Sequence, residues 1–93
     1  MTIEVVPKHQ FSYEGTSIRV YIANKGEGIP KHTHNYSHAV ACTAGRCAIH
    51  KENVYVEMDV LTQPINLVGQ EWHEIEALED GTSFITVFKE GKY

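Results

Sequence analysis

Gly26-Glu27-Gly28-Ile29-Pro30-Lys31-His32-Thr33-His34-Asn35-Tyr36-Ser37-His38-Ala39-Val40-Ala41-Cys42-Thr43-Ala44-Gly45 is the stretch on which the reading of this chain turns. His34 and His38 stand at even offsets from His32, so on one extended strand all three imidazoles would point to the same face. An ideal strand would separate His32 from His38 by ~20 Å, too far for both to reach one ion at ~2.1 Å. The segment must therefore bend, or His38 must begin the next strand. Asn35-Tyr36-Ser37 holds residues suited to such a turn. A fourth histidine, His73, comes from a separate segment, and only a closed barrel or a sandwich would bring it beside the others. On spacing alone two readings stand level: a metal site, or a solvated His-x-His pair on a surface strand.

The surrounding sequence reads as strands. Val, Ile and Thr together number 24, against nine for Ala and Leu. That ratio favours a pleated surface over a helix, because β-branched side chains lose rotamer freedom on a helix. Short alternating runs recur between turn residues: Ile18–Ile22, Tyr36–Thr43, Val54–Met58, Ile65–Val68, Trp72–Ala77 and Ser83–Phe88. In the first, Ile18, Val20 and Ile22 alternate with Arg19 and Tyr21, so one face is apolar. Seven to nine such strands at turn spacings of ~8–12 residues suggest an antiparallel sandwich or barrel. Residues 1–93 are expected to form a single domain, with its core between about 18 and 88. The ends, Met1-Thr2 and Glu90 to Tyr93, are expected to fray or to pair with a second subunit.

Composition limits the classes of function. Eight Lys and Arg against twelve Asp and Glu leave a net charge of −4, which argues against nucleic acid, where phosphate neutralisation supplies most of the affinity. The apolar runs are too short to span a bilayer and no charged-then-apolar leader opens the chain, so a soluble, cytoplasmic protein without a membrane partner is expected.

The spacing from Gly26 through His32, His34 and position 38 to Gly45 resembles the first motif of the cupin superfamily, with one departure: the family usually has Glu where this chain has His38. Of the second family motif only His73 is in place, with Thr62, Val68, Gln70 and Ala77 at its other positions. The resemblance spans about Ile18 to Phe88. It implies a small cupin-type antiparallel β-barrel, a double-stranded β-helix or jelly roll, holding one divalent metal ion through His32, His34, His38 and His73. Four neutral imidazoles add no negative charge beside the ion, so the site should attract anionic ligands more strongly than a site with Glu. Imidazole ligands suit Fe, Ni, Zn or Cu better than Mn. The all-histidine set is similar to that of cupins that act as iron-dependent dioxygenases.

Other residues carry weaker signals. A tight turn at Ala44-Gly45 would pair Cys42 with Cys47 across a hairpin. A disulfide is geometrically possible there, and two buried thiols are expected in a reducing compartment. Tyr36 and Trp72 flank proposed ligands and are read as packing residues. His9 and His50 lie in turn-like sequence and are read as solvated. Glu71, Glu74, Glu76, Glu79 and Asp80 read as a solvated acidic face rather than as a general base.

Two functional classes follow. One is a metal-dependent oxidoreductase or isomerase acting on a small polar organic molecule. The other is a non-catalytic metal- or anion-binding module. A 93-residue barrel has edge strands to cover, so a homodimer is expected.

Overall fold

The computed structural model describes residues 2–33, 37–51, 53–67 and 72–89. Ten strands follow one another: β1 (Ile3–Glu4), β2 (His9–Tyr13), β3 (Thr16–Ala23), β4 (Glu27–His32), β5 (His38–Ala44), β6 (Cys47–Lys51), β7 (Val54–Met58), β8 (Ile65–Leu67), β9 (His73–Ala77) and β10 (Thr82–Lys89). They form two five-stranded sheets, ordered β1-β4-β9-β6-β7 and β2-β3-β10-β5-β8. All pairings are antiparallel except β1 with β4. Ten is one more than the upper expectation, and β1 and β2 lie ahead of Ile18, where the core was expected to begin. Thr2 is buried rather than frayed; Met1 and residues 90–93 lie outside the described residues.

The core lies between the sheets. Ile49, Ile75, Met58 and Ala77 from one sheet meet Val40, Leu67, Phe84 and Tyr21 from the other. Inward and outward positions alternate cleanly on β9 and β10, where Ile75, Ala77, Phe84 and Phe88 are buried and their neighbours are partly exposed. At ~25 cal/mol per Å² of buried apolar surface, this shared interior is the main term holding the sheets together.

The structure places the faces of β3 and corrects one expectation. Tyr21 and Ala23 point inward, and Tyr21 stacks on Phe84 with ring centroids 4.9 Å apart. Ile22 is 46% exposed. Ile18 and Val20 lie on the outer face, paired across the ladder with Val87 and Ile85. Those β-branched side chains cover one another there, while aromatic rings fill the interior. Alternation therefore located the strand and its apolar face, but not the side of the sheet on which that face lies.

The correction concerns Gly45. Ala44-Gly45 does not close a hairpin, because β5 and β6 belong to opposite sheets. Cys42 pairs with Phe84, and Cys47 pairs with Met58 and Ala77. Gly45 is a corner at which the chain changes sheets, with φ at +69°; a Cβ here would stand 2.6 Å from Thr82 Oγ1. Only glycine combines that left-handed backbone with so close an approach.

Candidate metal centre and cavity

β4 delivers His32 to the interior by a bulge. Ile29 pairs with Ile75 and His32 with His73, so β4 spends one more residue than β9 between the two pairs. Pro30 lies in this interval and has no N–H to give the ladder, which suits an irregular position. The extra residue resets the strand's alternation, and position 32 inherits the inward face of Ile29. Without the bulge, His32 would face away from His73.

His73 opens β9 on the same face as Ile75 and Ala77 and is 1% exposed. His38 opens β5 in the other sheet, on the face of Val40 and Cys42, and is 6% exposed. His32 and His38 thus lie on different strands, as their separation requires. The rings meet at one end of the barrel. Ring centroids of His32 and His73 are 4.5 Å apart, and those of His38 and His73 are 5.0 Å apart, both edge to face. His38 Nε2 and His73 Nε2 stand 3.2 Å apart.

That separation bears on a bound ion. Two nitrogens each ~2.1 Å from one ion lie ~3.0–3.4 Å apart at octahedral or tetrahedral angles. The Nε2 pair falls on such an edge. Without an ion, the same separation suits a hydrogen bond in which one ring donates its Nε2 proton to the other. His32 Nδ1 donates to the Pro30 carbonyl at 2.8 Å. This leaves Nε2 of a neutral His32 as the lone-pair nitrogen, the tautomer that backbone partners impose on metal-binding histidines. Among the described residues, no group of three or more His, Cys, Asp or Glu side chains is already arranged around a single point. The fit rests on the His38–His73 pair and on the tautomer of His32. His34 and Tyr36 lie outside the described residues.

A cavity of about 640 Å³ opens beside these rings, lined by His32, His38, Arg19, Tyr21, Thr86 and Phe88 among others. Val5 and Ile29 add apolar wall; Glu4 and Lys31 also line it, and both are exposed. Arg19 stands in the row of Thr86 and faces inward with it. Its Cζ lies 4.8 Å from the Phe88 ring centroid. Trp72 is half-buried, with Lys31 Nζ 4.2 Å from its ring centroid.

The remaining candidates divide differently. His9 is exposed on β2, as expected of a solvated residue. His50 is not in a turn: it is half-buried on β6, packs edge to face on Tyr55 and lies 3.7 Å from Glu76. Glu74 and Glu76 alternate with buried Ile75 and Ala77, so they occupy the outer face. Glu79 pairs with Arg46, which also reaches Glu57. Glu71 lies outside the described residues. Cys42 and Cys47 are buried free thiols outside the cavity lining. Burial above all, with Cys42 beside it, pushes the Cys47 thiol up to about 12.

No family model and no curated protein matches the sequence. Solved structures match the fold closely. A protein from Neisseria meningitidis superposes with a TM-score of 0.77 at 12% identity, over 97% of this chain and 89% of that one. A cupin-2 domain containing protein from Shewanella frigidimarina gives 0.72 at 7% identity, over 90% and 82% of the two chains. A cupin superfamily protein from Desulfitobacterium hafniense gives 0.72 at 10% identity, over 94% and 83%. At these identities the likeness establishes the fold, which is that of the small cupins.

Proposed function

From the small-cupin fold we propose that this protein binds one divalent transition metal ion through His32, His38 and His73, with His34 as the fourth ligand. Fe, Ni, Zn or Cu suit an all-imidazole set better than Mn. The observation that carries the reading is the 3.2 Å approach of two Nε2 atoms from opposite sheets. Two buried imidazoles placed nitrogen to nitrogen are a poor way to fill a core but a good way to hold a cation.

The bound ion would act as a Lewis acid or oxygen activator toward a small polar organic molecule in the cavity, in an oxidoreductase reaction of the dioxygenase kind or in an isomerisation. The chain's own contribution is positioning. Pro30 orients His32, and the paired strands hold His73. Phe88 and Ile29 offer apolar wall to a carbon skeleton. A second reading, a non-catalytic metal- or anion-binding module, has one specific support: among the described lining residues the only carboxylate is exposed Glu4. That leaves no enclosed side chain suited to serve as a carboxylate base. The cytoplasm remains the proposed location; among the described residues no helix is long and apolar enough to cross a membrane.

A homodimer is proposed as well. Ile18, Val20, Ile85 and Val87 form an apolar outer face on β3 and β10, continued by exposed Ile22. Its cover would be a second copy of the chain, and sedimentation of the wild type against Ile22→Lys reads it out.

Metal analysis of anaerobically purified protein tests the main reading, followed by oxygen uptake with diketones, thiols and phenols. One equivalent of metal with substrate-dependent uptake supports the enzyme. Metal without turnover selects the binding module. Protein that neither retains nor takes up a transition metal overturns both.

A further inference from the structure

We infer that Arg19 is the carboxylate-recognition residue of the cavity, so that the organic molecule taken beside the histidines carries a carboxylate group. The inference deepens the metal-site reading and rests on it only for what happens at the other end of that molecule. Arg19 faces the interior of a protein whose net charge is −4, yet among the described residues it has no ion-pair partner. Its Nε is buried and makes no hydrogen bond. A buried guanidinium N–H that reaches neither water nor an acceptor is costly, and native proteins rarely leave one in that state without a purpose. The cavity it lines can bring an acceptor to the terminal N–H groups of the same guanidinium.

The chemistry of that acceptor follows from the surroundings. The Phe88 ring lies against the guanidinium carbon at 4.8 Å, covering a face and leaving the in-plane N–H donors for a ligand. In-plane donors on a planar fork match a planar carboxylate. The cationic residues of the lining are Arg19 and Lys31, against Glu4. One enclosed guanidinium balances a monoanion better than a dianionic phosphate. Val5, Ile29 and Phe88 supply apolar wall for a short carbon skeleton. Arg19 and His38 face inward on strands two apart, with Cα atoms about 12 Å apart by strand spacing and rise. A molecule of a few heavy atoms would bridge the guanidinium and the imidazoles.

The chain has two arginines, and the second, Arg46, is exposed and already paired with Glu57 and Glu79. It is therefore an internal control. The test is a nitrogen-15 NMR titration of the arginine Nε–H signals with butyrate, its neutral analogue butyramide, and inorganic phosphate, on zinc-loaded and metal-free protein. Butyrate is expected to shift the Arg19 signal and not that of Arg46, and to bind at least tenfold more tightly than butyramide. Arg19→Gln should lower butyrate affinity at least tenfold without changing butyramide affinity or zinc content. Arg19→Lys, which keeps the charge but loses the fork, should fall between them.

Each other outcome is decisive. An unshifted Arg19 signal in wild-type protein overturns the inference without reference to any variant. Equal butyrate affinity in Arg19→Gln and wild type overturns it and leaves the metal reading intact. Tenfold tighter phosphate binding overturns the choice of carboxylate. If zinc does not bind while butyrate still shifts Arg19 in the metal-free protein, the metal reading fails and the assignment of Arg19 stands.

Discussion

At the end of the barrel where β5 and β9 begin, the inward positions carry the imidazoles of His38 and His73, joined by His32 and, one step along the sheet, by Arg19 and Thr86. At the opposite end the same strands turn inward Cys42, Cys47, Ala77, Ala23 and Thr82, all buried, and the chain closes over them through Gly45. Both ends use the same alternation. One fills its inward positions with polar groups and leaves a cavity; the other uses small side chains and lets backbone approach backbone. Replacing an inward residue should therefore cost ligand binding at the first end and stability at the second.

The largest expected difference is in metal content. His73→Ala should abolish stoichiometric metal binding, measured by elemental analysis, while His9→Ala on exposed β2 should leave it unchanged. Full occupancy in the His73 variant would remove His73 from the proposed ligand set.

Gly45→Ala probes the closed end. Its Cβ would meet Thr82 at 2.6 Å, on a backbone with φ at +69°. The variant should lose about 2–4 kcal/mol in urea unfolding, from left-handed strain and overpacking together. Its metal content should match the parent's. A loss of metal without a loss of stability would show that the two ends are not separable.

The Cys47 thiol gives the same end a pH signature. Its folded value lies up at about 12 against an ordinary 9.0. Above about pH 9 the unfolded chain ionises this thiol and the folded chain does not, so the unfolded chain binds fewer protons. Stability should then fall as pH rises from 9 toward 12, by about 1 kcal/mol between pH 9 and pH 10 from this group. Cys47→Ser removes that component, and urea unfolding at pH 8, 9 and 10 should show a flatter profile than wild type. Parallel profiles would mean that the folded thiol ionises as readily as the unfolded one.

The smallest effect belongs to His38. His38→Glu should retain an ion, shift preference toward Mn, and weaken azide binding several-fold, because a negative charge then sits beside the open coordination positions. Unchanged preference and azide affinity would mean that His38 packs without coordinating, leaving His32, His34 and His73.

Periodicity and composition were enough to read an all-β sandwich or barrel and the place of most strands, and the resemblance carried by the histidine spacing chose the barrel. Those properties are local: β-branched residues favour pleated backbone wherever they occur, and Ile75 and Ala77 declare a face without reference to any other strand. Three things were decided only by tertiary structure. The bulge at Pro30 turns His32 inward, because alternation counts residues and cannot register one that the partner strand skips. The corner at Gly45 sends β6 to the other sheet, because a tight turn favours left-handed backbone whether it closes a hairpin or changes layers. The direction of the apolar face of β3 is the third, because an apolar row marks burial and not its direction. Ile18 and Val20 are covered by Val87 and Ile85 on the outside, and Arg19 is left to face the cavity.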